Sequence, residues 1–213
     1  MLRSLLDAIV PPLCAGCGAV AGRFEPLCAR CRVGLRWLGS EPMWIGAALW
    51  AWAPLAYEDP VRGLVRALKF RGVTRAADAM AAQIAANAPP GWLESDRALV
   101  PVPLHPARAR KRGYNQAALL AAALARRTGL EVNDCLARAG PRGTQVGRDR
   151  SQRLAGIAGT VGLAPERAPP PAHAVLVDDV VTTGATLVAC ARALLAAGAN
   201  SVVAVAYART PGR

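Results

Sequence analysis

Long hydrophobic runs are absent from this chain of 213 residues. No apolar segment approaches the ~20 residues that a helix needs to cross a bilayer, so we exclude an integral membrane protein and expect no membrane insertion. The first residues, MLRSLLDAIVPP, do not resemble a secretory signal, because Asp7 interrupts the apolar stretch and two prolines end it. We therefore interpret residues 2–10 as a short amphipathic helix and expect a cytoplasmic protein.

Acidic residues and lysines are also scarce. The chain has 14 acidic against 26 basic side chains, a net charge of +12, and every basic residue except Lys69 and Lys111 is arginine. Such an excess favours anionic partners, such as phosphorylated sugars or nucleic acid. An apolar fraction of 53% is ample for a buried core, and the length suits one α/β domain with a small appendage.

Four of the six cysteines fall in one segment, CAGCGAVAGRFEPLCARC. Two C-x2-C pairs are typical of a structural zinc site, because each pair offers two thiolates from one tight turn and four thiolates close the coordination shell. Disulfides are the alternative, but they need an oxidising compartment. We predict a zinc module at residues 1–38, including the leading helix, with the ligands Cys14, Cys17, Cys28 and Cys31. The remaining two cysteines are expected to be small core residues: Cys135 and Cys190.

A second motif, VLVDDVVTTGAT at residues 175–186, places two carboxylates at the end of an apolar run and follows them with threonines around a glycine. The run suits a buried parallel strand, and TLVACARALLAAG and SVVAVAYA predict a helix and the next strand. In such a βαβ unit the ligand lies at the carboxyl end of the strand. Glycine allows close backbone approach, and the helix N-terminus favours an anion.

Carboxylates repel phosphate, so Asp178 and Asp179 must contact another part of the ligand. A sugar 5'-phosphate satisfies both halves of the motif, because its vicinal hydroxyls can donate to the carboxylates while its phosphate lies at the turn. The plain alternative is a strand-to-helix crossover capped by threonines. A cap requires one polar side chain, however, and not two carboxylates with three threonines. We therefore predict ligand binding at this motif.

Tryptophan is concentrated between the two motifs, with four of the five residues between Trp37 and Trp52. One interpretation is a set of stacking platforms for single-stranded nucleic acid. The other, which we favour, is a linker followed by a partly buried strand from about Ala47 to Tyr57, since aromatic residues in strands usually pack in a core. The segments DPVRGLVRALKF and TRAADAMAAQIAANA predict two helices, the first capped by Asp59.

The predicted strand ALVPVPLH is followed by a strongly basic loop, HPARARKRGYNQ. Four cations are packed into five residues: Arg108, Arg110, Lys111 and Arg112. The whole segment Pro101–Arg153 holds eleven basic and three acidic residues. For any single arginine a solvated face is the plain interpretation. Together, the cations favour an anionic ligand whose negative charge they offset.

The combination of motifs resembles a known family. DDVVTTGAT resembles the phosphoribosyl pyrophosphate (PRPP) loop of the type I phosphoribosyltransferases. With the cysteine segment, YEDPVRGLVRALKFRG and PVPLHPARARKRGYNQAALLA, the chain is similar to the ComF family from about Leu13 to Tyr207. The resemblance implies an α/β fold of the type I phosphoribosyltransferase kind at residues 45–210, with a mostly parallel sheet flanked by helices and a four-cysteine zinc ribbon in front.

The resemblance also implies roles for individual residues. Ribose hydroxyls would be bound by Asp178 and Asp179. The 5'-phosphate would lie against Val181, Thr182, Thr183, Gly184, Ala185 and Thr186. The pyrophosphate, with its Mg²⁺, would meet Leu104, His105 and Arg108. The catalytic positions would be Arg112, Gln145 and Arg153, the last two in a lid segment. The family's asparagine three residues after that last arginine is Gly156 here, which bears on turnover more than on binding.

Two classes of function follow from the resemblance. The first is a Mg²⁺-dependent transferase that displaces pyrophosphate from PRPP. Because the pyrophosphate needs no acid from the protein to leave, the scarcity of histidines does not argue against an enzyme. We expect His105 to be a loop residue and His173 to be a solvated linker residue. The second is an adaptor in DNA uptake that senses the ligand and contacts single-stranded DNA or other competence proteins. A nucleobase phosphoribosyltransferase of nucleotide salvage, with no DNA role, is the alternative, and a homo-oligomer is compatible with each.

Overall fold

The computed structural model describes residues 12–22, 25–138, 161–164 and 166–211. The helices are α1 (Ala29–Val33), α2 (Val61–Phe70), α3 (Ala76–Asn87), α4 (Pro106–Arg112), α5 (Gln116–Thr128) and α6 (Ala185–Ala196). The strands are β1 (Met43–Gly46), β2 (Leu49–Trp52), β3 (Leu55–Ala56), β4 (Ala98–Pro101), β5 (Glu131–Val132), β6 (Leu136–Arg138), β7 (Val161–Leu163), β8 (His173–Val181) and β9 (Ser201–Arg209). The helix predicted at residues 2–10 lies outside the described residues. Within them, no helix is both long and apolar enough to span a membrane.

One seven-stranded sheet forms the centre of the fold. Its strand order is β1-β2-β9-β8-β4-β5, β3 also pairs with β9, and every pairing except β1–β2 is parallel. Strands β6 and β7 form a separate antiparallel pair. The central strand β8 is largely buried, as expected for a parallel strand that helices cover on both faces. The predicted fold class is confirmed: a mostly parallel sheet flanked by helices, with four cysteines in front of it.

Helices cover both faces of the sheet and divide the core in two. On one face, α2, α3 and α5 pack over the sheet and bury Leu68, Met80 and Leu124 completely. On the other face, α6 packs with the β6–β7 pair. This second core contains Cys135 and Cys190, both fully buried, as the sequence predicted.

The cysteine module packs directly on α2. A Cβ at Gly63 would lie 2.5 Å from the carbonyl oxygen of Ala15 and 2.8 Å from the Cα of Gly16, so this approach requires glycine. Arg71, just after α2, donates to the same Ala15 carbonyl oxygen at 3.1 Å. The buried residues of the module belong to the core cluster that α2 also joins. The module is therefore continuous with the core of the larger domain.

The tryptophan-rich segment is a hairpin and not the single strand expected over residues 47–57. Strands β1 and β2 pair antiparallel across a two-alanine turn whose φ angles are 52° and 55°. Trp52 is buried, as the favoured interpretation required. Trp44 and Trp50 are exposed and pack edge to face, with ring centroids 5.3 Å apart.

The basic segment after β4 is a helix, although the sequence predicted a loop. Alanine and arginine are strong helix formers, and they alternate through α4. The His105 side chain caps this helix by accepting a hydrogen bond from the Ala107 N–H at 3.2 Å. Gly113 ends the helix with a φ of 81°. The four cations therefore lie on a short helix of fixed geometry.

Two smaller expectations also differ. Asp59 does not cap α2, because Pro60 occupies the N-cap position and no side chain caps the helix there. His173 is not a solvated linker residue, because it begins β8. Its Nδ1 lies 2.8 Å from the hydroxyl of Ser201 on β9.

Candidate functional site

The carboxyl end of β8 is the centre of the candidate site. Asp178 and Asp179 lie in the last four residues of this strand; Asp179 is only 2% exposed and Asp178 is half-buried. Neighbouring strand β4 ends at Pro101, which pairs with Val177. Because the two strands are parallel, the loop after β4 meets the carboxylates at the same edge of the sheet.

The turn after β8 encloses a small cavity of about 40 Å³, lined by Asp178 and residues 180–187. Gly184 stands at the N-cap of α6 with a φ of 73°. A Cβ there would also lie 3.1 Å from the side chain of Ile45 on β1. The first N–H groups of a helix have no intrahelical acceptor and carry partial positive charge. The cavity at the start of α6 therefore suits an anionic group.

A larger cavity of about 220 Å³ adjoins the first and shares part of its wall. Six of its lining residues were predicted from sequence: Leu104, Arg108, Asp178, Asp179, Thr182 and Thr186. A seventh, Gln116, belongs to the RGYNQ segment that carries the ComF resemblance. The sequence did not single out the other six: Tyr57, Lys69, Val102, Pro103, Arg138 and Val180. The structure thus brings the loop after β4 together with the β8 motif, as predicted, and adds cations from other elements.

Lys69, near the end of α2, pairs with the buried carboxylate. Its Nζ lies 2.9 Å from Oδ2 of Asp179, and the two side chains are 21% and 3% exposed. That oxygen has no hydrogen-bond partner among the described residues, so the contact is ionic and not a well-directed hydrogen bond. Removing one partner of such a buried pair would leave an uncompensated charge in the cavity wall.

The carboxyl group of Asp178 has different contacts from that of Asp179. Burial and the negative charge of Asp179 raise the pKa of Asp178 to about 8, although the backbone N–H of Asp179 and the charge of Lys69 act in the opposite direction. That N–H donates to Oδ1 of Asp178 at 2.8 Å. Two adjacent carboxylates that share one cation do not both ionise freely. The raised pKa therefore favours the protonated form of Asp178 at neutral pH.

The cysteine cluster fits a zinc ion. The four thiol sulfurs of Cys14, Cys17, Cys28 and Cys31 all lie within 4.8 Å of one another, and none is in a disulfide. Sγ of Cys17 and Sγ of Cys28 are 3.7 Å apart, close to the ~3.8 Å edge of a tetrahedron with Zn–S bonds of about 2.3 Å. Burial opposes ionisation of Cys14, yet hydrogen bonds from backbone N–H groups lower its pKa to about 6. The four thiols are therefore close enough together that they could hold one zinc ion.

No family model matches the chain. Among curated proteins, the chain is 32% identical to DNA utilization protein YhgH of Salmonella typhi over 204 aligned residues. The alignment covers 93% of this chain and 84% of that protein. The Escherichia coli protein of the same name is 30% identical with the same coverage. Competence protein F of Haemophilus influenzae is 28% identical, over 93% of this chain and 85% of that protein. The chain belongs to the ComF family. The resemblance read from the sequence motifs is confirmed.

Other residues that the ComF resemblance singled out are placed outside the cavity wall or beyond the described chain. Arg112 hydrogen-bonds Oε1 of Gln116, and its guanidinium lies 5.1 Å from the ring centroid of Phe70. Because Gln116 itself lines the larger cavity, Arg112 reaches the site through that side chain. His105 is engaged as the cap of α4. Outside the described residues lie Gln145, Arg153 and Gly156.

The cavity residues that sequence reasoning missed come from elements distant in sequence. Lys69 lies on α2, Tyr57 follows β3, and Arg138 ends β6. One signal was available for Lys69, because it is one of two lysines in a chain that otherwise uses arginine. A compact ammonium on a flexible stem suits a narrow, partly buried position better than a planar guanidinium.

Proposed function

We propose that this ComF family protein binds PRPP or a related ribose 5-phosphate ligand at the carboxyl edge of its sheet and acts in DNA utilization. The observation that carries the proposal is the shared wall of the two cavities, since Asp178, Thr182 and Thr186 line both. One ligand can thus place a phosphate at the helix N-terminus and a sugar beside the carboxylates. Helix N-termini favour phosphate, and carboxylates make strong bonds with hydroxyl donors.

The cations of the larger cavity suit the other end of PRPP. Lys69, Arg108 and Arg138 all line it. We assign Arg108 to the pyrophosphate, because a leaving pyrophosphate needs positive charge around it. Asp178 and Asp179 offer the oxygen ligands that Mg²⁺ prefers, and Mg²⁺ bound with PRPP would offset part of the pyrophosphate charge. Lys69 forms an ion pair with the second of these carboxylates, that of Asp179.

As a transferase, the protein would break the bond between the anomeric carbon and the pyrophosphate oxygen and form a bond from that carbon to an acceptor. The electron pair of the broken bond leaves with the pyrophosphate, so the protein has to orient the sugar and hold the leaving group. We keep Arg112, Gln145 and Arg153 as proposed catalytic residues, with Arg112 acting through Gln116.

The DNA part of the proposal is supported by the names of the relatives, competence protein F and DNA utilization protein, and by the net charge of +12. Single-stranded DNA and other competence proteins are the partners we propose. We also propose a cytoplasmic location, where thiols stay reduced and free to bind zinc. A salvage transferase without a DNA role is the competing proposal, supported by the continuous sugar and phosphate cavities.

Calorimetry with PRPP and Mg²⁺ tests the pocket, and pyrophosphate release in the presence of a nucleobase panel tests turnover. Saturable binding without release supports the adaptor, and release with one base supports the transferase. No binding of PRPP or ribose 5-phosphate at any pH would refute the ligand assignment. A deletion strain complemented with the gene separates the DNA role from salvage, because only the DNA role predicts lost transformation or lost growth on DNA.

A further inference from the structure

Helix α4 carries an unusual concentration of positive charge at the rim of the larger cavity. Four of its seven residues are cationic, and Arg108, Arg110 and Lys111 are exposed. The chain has no acidic residue between Asp96 and Glu131 to offset them. The positive field of α4 is therefore not neutralised by its own segment, which favours a polyanion larger than one sugar phosphate.

An exposed aromatic ring adjoins this helix. Phe70, the last residue of α2, is 72% exposed. The Arg112 guanidinium lies 5.1 Å from its ring centroid and is itself fixed by a hydrogen bond to Gln116. The hydroxyl of Tyr114 donates to the carbonyl oxygen of Leu68, which ties the α4–α5 connection to the end of α2. The ring is thus held beside the cations and still faces solvent.

A single exposed apolar residue is ordinary on a protein surface. Phe70 differs because it lies next to a cationic helix and to the guanidinium of Arg112. An aromatic ring beside positive charge is the combination that binds single-stranded nucleic acid. The exposed Trp44–Trp50 pair has no run of cations beside it in sequence, and the nearby Arg209 guanidinium contacts Sδ of Met43 at 3.7 Å. Its segment, residues 37–57, contains no basic residue and one acidic residue, Glu41. Charge therefore places a nucleic-acid strand on α4 and not on the tryptophans.

We propose that α4 and Phe70, here named the α4–Phe70 surface, form a docking site for single-stranded DNA, with the ring stacking on one base and the exposed cations contacting the flanking phosphates. The inference rests on the DNA part of the proposed function and does not require the phosphoribosyl pocket. Neither stacking nor phosphate contact reads base edges, so binding should tolerate any sequence. Arg108 belongs to both the surface and the larger cavity, so PRPP and DNA should weaken each other's binding.

Fluorescence anisotropy of a labelled single-stranded oligonucleotide with the full chain tests the surface. Phe70→Leu removes the ring and should weaken binding about 5- to 100-fold, since stacking contributes ~1–3 kcal/mol per base. Phe70→Trp keeps a ring and should restore the affinity. Arg110→Glu should reduce the slope of log affinity against log salt by about 0.7 or more, the contribution of one phosphate contact.

Arg127→Glu is the matched control, because it makes the same charge change at an exposed position in the last turn of α5, away from α4. It should alter the affinity much less than Arg110→Glu and leave the slope nearly unchanged. PRPP calorimetry on each variant separates the two proposals. If no variant or wild type binds PRPP while the DNA results hold, the pocket assignment fails and the surface stands.

Four results would contradict the α4–Phe70 surface. The first is wild-type protein that binds no single strand at low salt. The second is a Phe70→Leu variant with wild-type affinity, and the third is an Arg127→Glu effect as large as that of Arg110→Glu. Duplex DNA bound as tightly as single strands would also contradict the stacking role, because paired bases cannot open onto the ring.

Discussion

Replacing Lys69 by methionine removes one charge from the candidate site and keeps most of the side-chain volume. The Nζ lies 2.9 Å from a carboxylate that is 3% exposed. Removing one partner from a buried ion pair can cost ~3–5 kcal/mol, but a carboxylate can take up a proton and escape most of that cost. We therefore expect the main effect on protonation and ligand binding, with a smaller loss of stability.

The direction of the pH effect follows from the sign of the lost charge. The positive charge of Lys69 lowers the pKa of Asp178, so Lys69→Met should raise that pKa above its present value of about 8. More of the carboxylate pair is then protonated at neutral pH, and its bonds to ribose hydroxyls lose charge assistance. One such bond is worth ~1.5–3 kcal/mol, so PRPP affinity at neutral pH should fall about 10- to 100-fold. Affinity should recover as the pH rises and the pair ionises.

Calorimetry with PRPP and Mg²⁺, over a pH series that brackets the raised pKa of Asp178, measures both effects. The control is Arg126→Met, which breaks the exposed Arg126–Asp78 pair, whose side chains are 63% and 53% exposed. A surface pair of this kind contributes ~0–1 kcal/mol, so its loss should change neither affinity nor its pH dependence. A Lys69→Met protein whose affinity drops equally at every pH would show a structural role only. Unchanged affinity throughout would refute the reasoning.

Further predictions concern the carboxylates, the metal and the packing of α2. Above about pH 8, where Asp178 is ionised, Asp178→Asn and Asp179→Asn should each keep the fold and weaken PRPP binding about 10- to 100-fold by calorimetry, since each removes a charge-assisted bond. The raised pKa of Asp178 means that the folded state holds this proton more tightly than the unfolded state does, so thermal stability of the ligand-free protein should fall as pH rises toward about 8. Asp178→Asn should flatten that dependence. Elemental analysis should find about one zinc per chain and none in Cys14→Ser, which should also melt at a lower temperature. Gly63→Ala should destabilise the protein by ~1–3 kcal/mol through overpacking, whereas Gly34→Ala, which meets backbone only at 3.4 Å, should be tolerated.

The parts of the site that could be predicted are those whose residues are contiguous in sequence. The carboxylates, threonines and glycine of VLVDDVVTTGAT specify a strand, a tight turn and a helix start by local rules, and the structure has all three. The two C-x2-C pairs work in the same way, because each knuckle is a local turn. Lys69 and Arg138 could not be placed from sequence, since their position in the cavity depends on how α2 and β6 pack against the sheet.

The local errors have physical reasons too. The β1–β2 turn uses two alanines at positive φ, a conformation that glycine or asparagine normally marks. Nothing in the segment therefore signalled a hairpin. The α4 helix was missed because its charge density suggested a solvated loop, although its alanines and arginines favour helix and Gly113 is a typical helix end.

Helix α2 is the element at which the two predicted motifs meet. Its Gly63 lies against the backbone of Ala15, next to Cys14 of the cysteine cluster, and its Lys69 contacts Asp179 in the larger cavity. Gly63 and Lys69 are six positions apart, which is about 9 Å along a helix axis. A helix transmits a displacement over that distance with little loss, because its backbone hydrogen bonds keep the two positions in register. No described residue of the cysteine module lines the larger cavity, yet the module packs on the helix that supplies the cation of the buried ion pair. Its loss should therefore weaken ribose binding through Lys69 while the phosphate turn at α6, which is built on β8, stays intact.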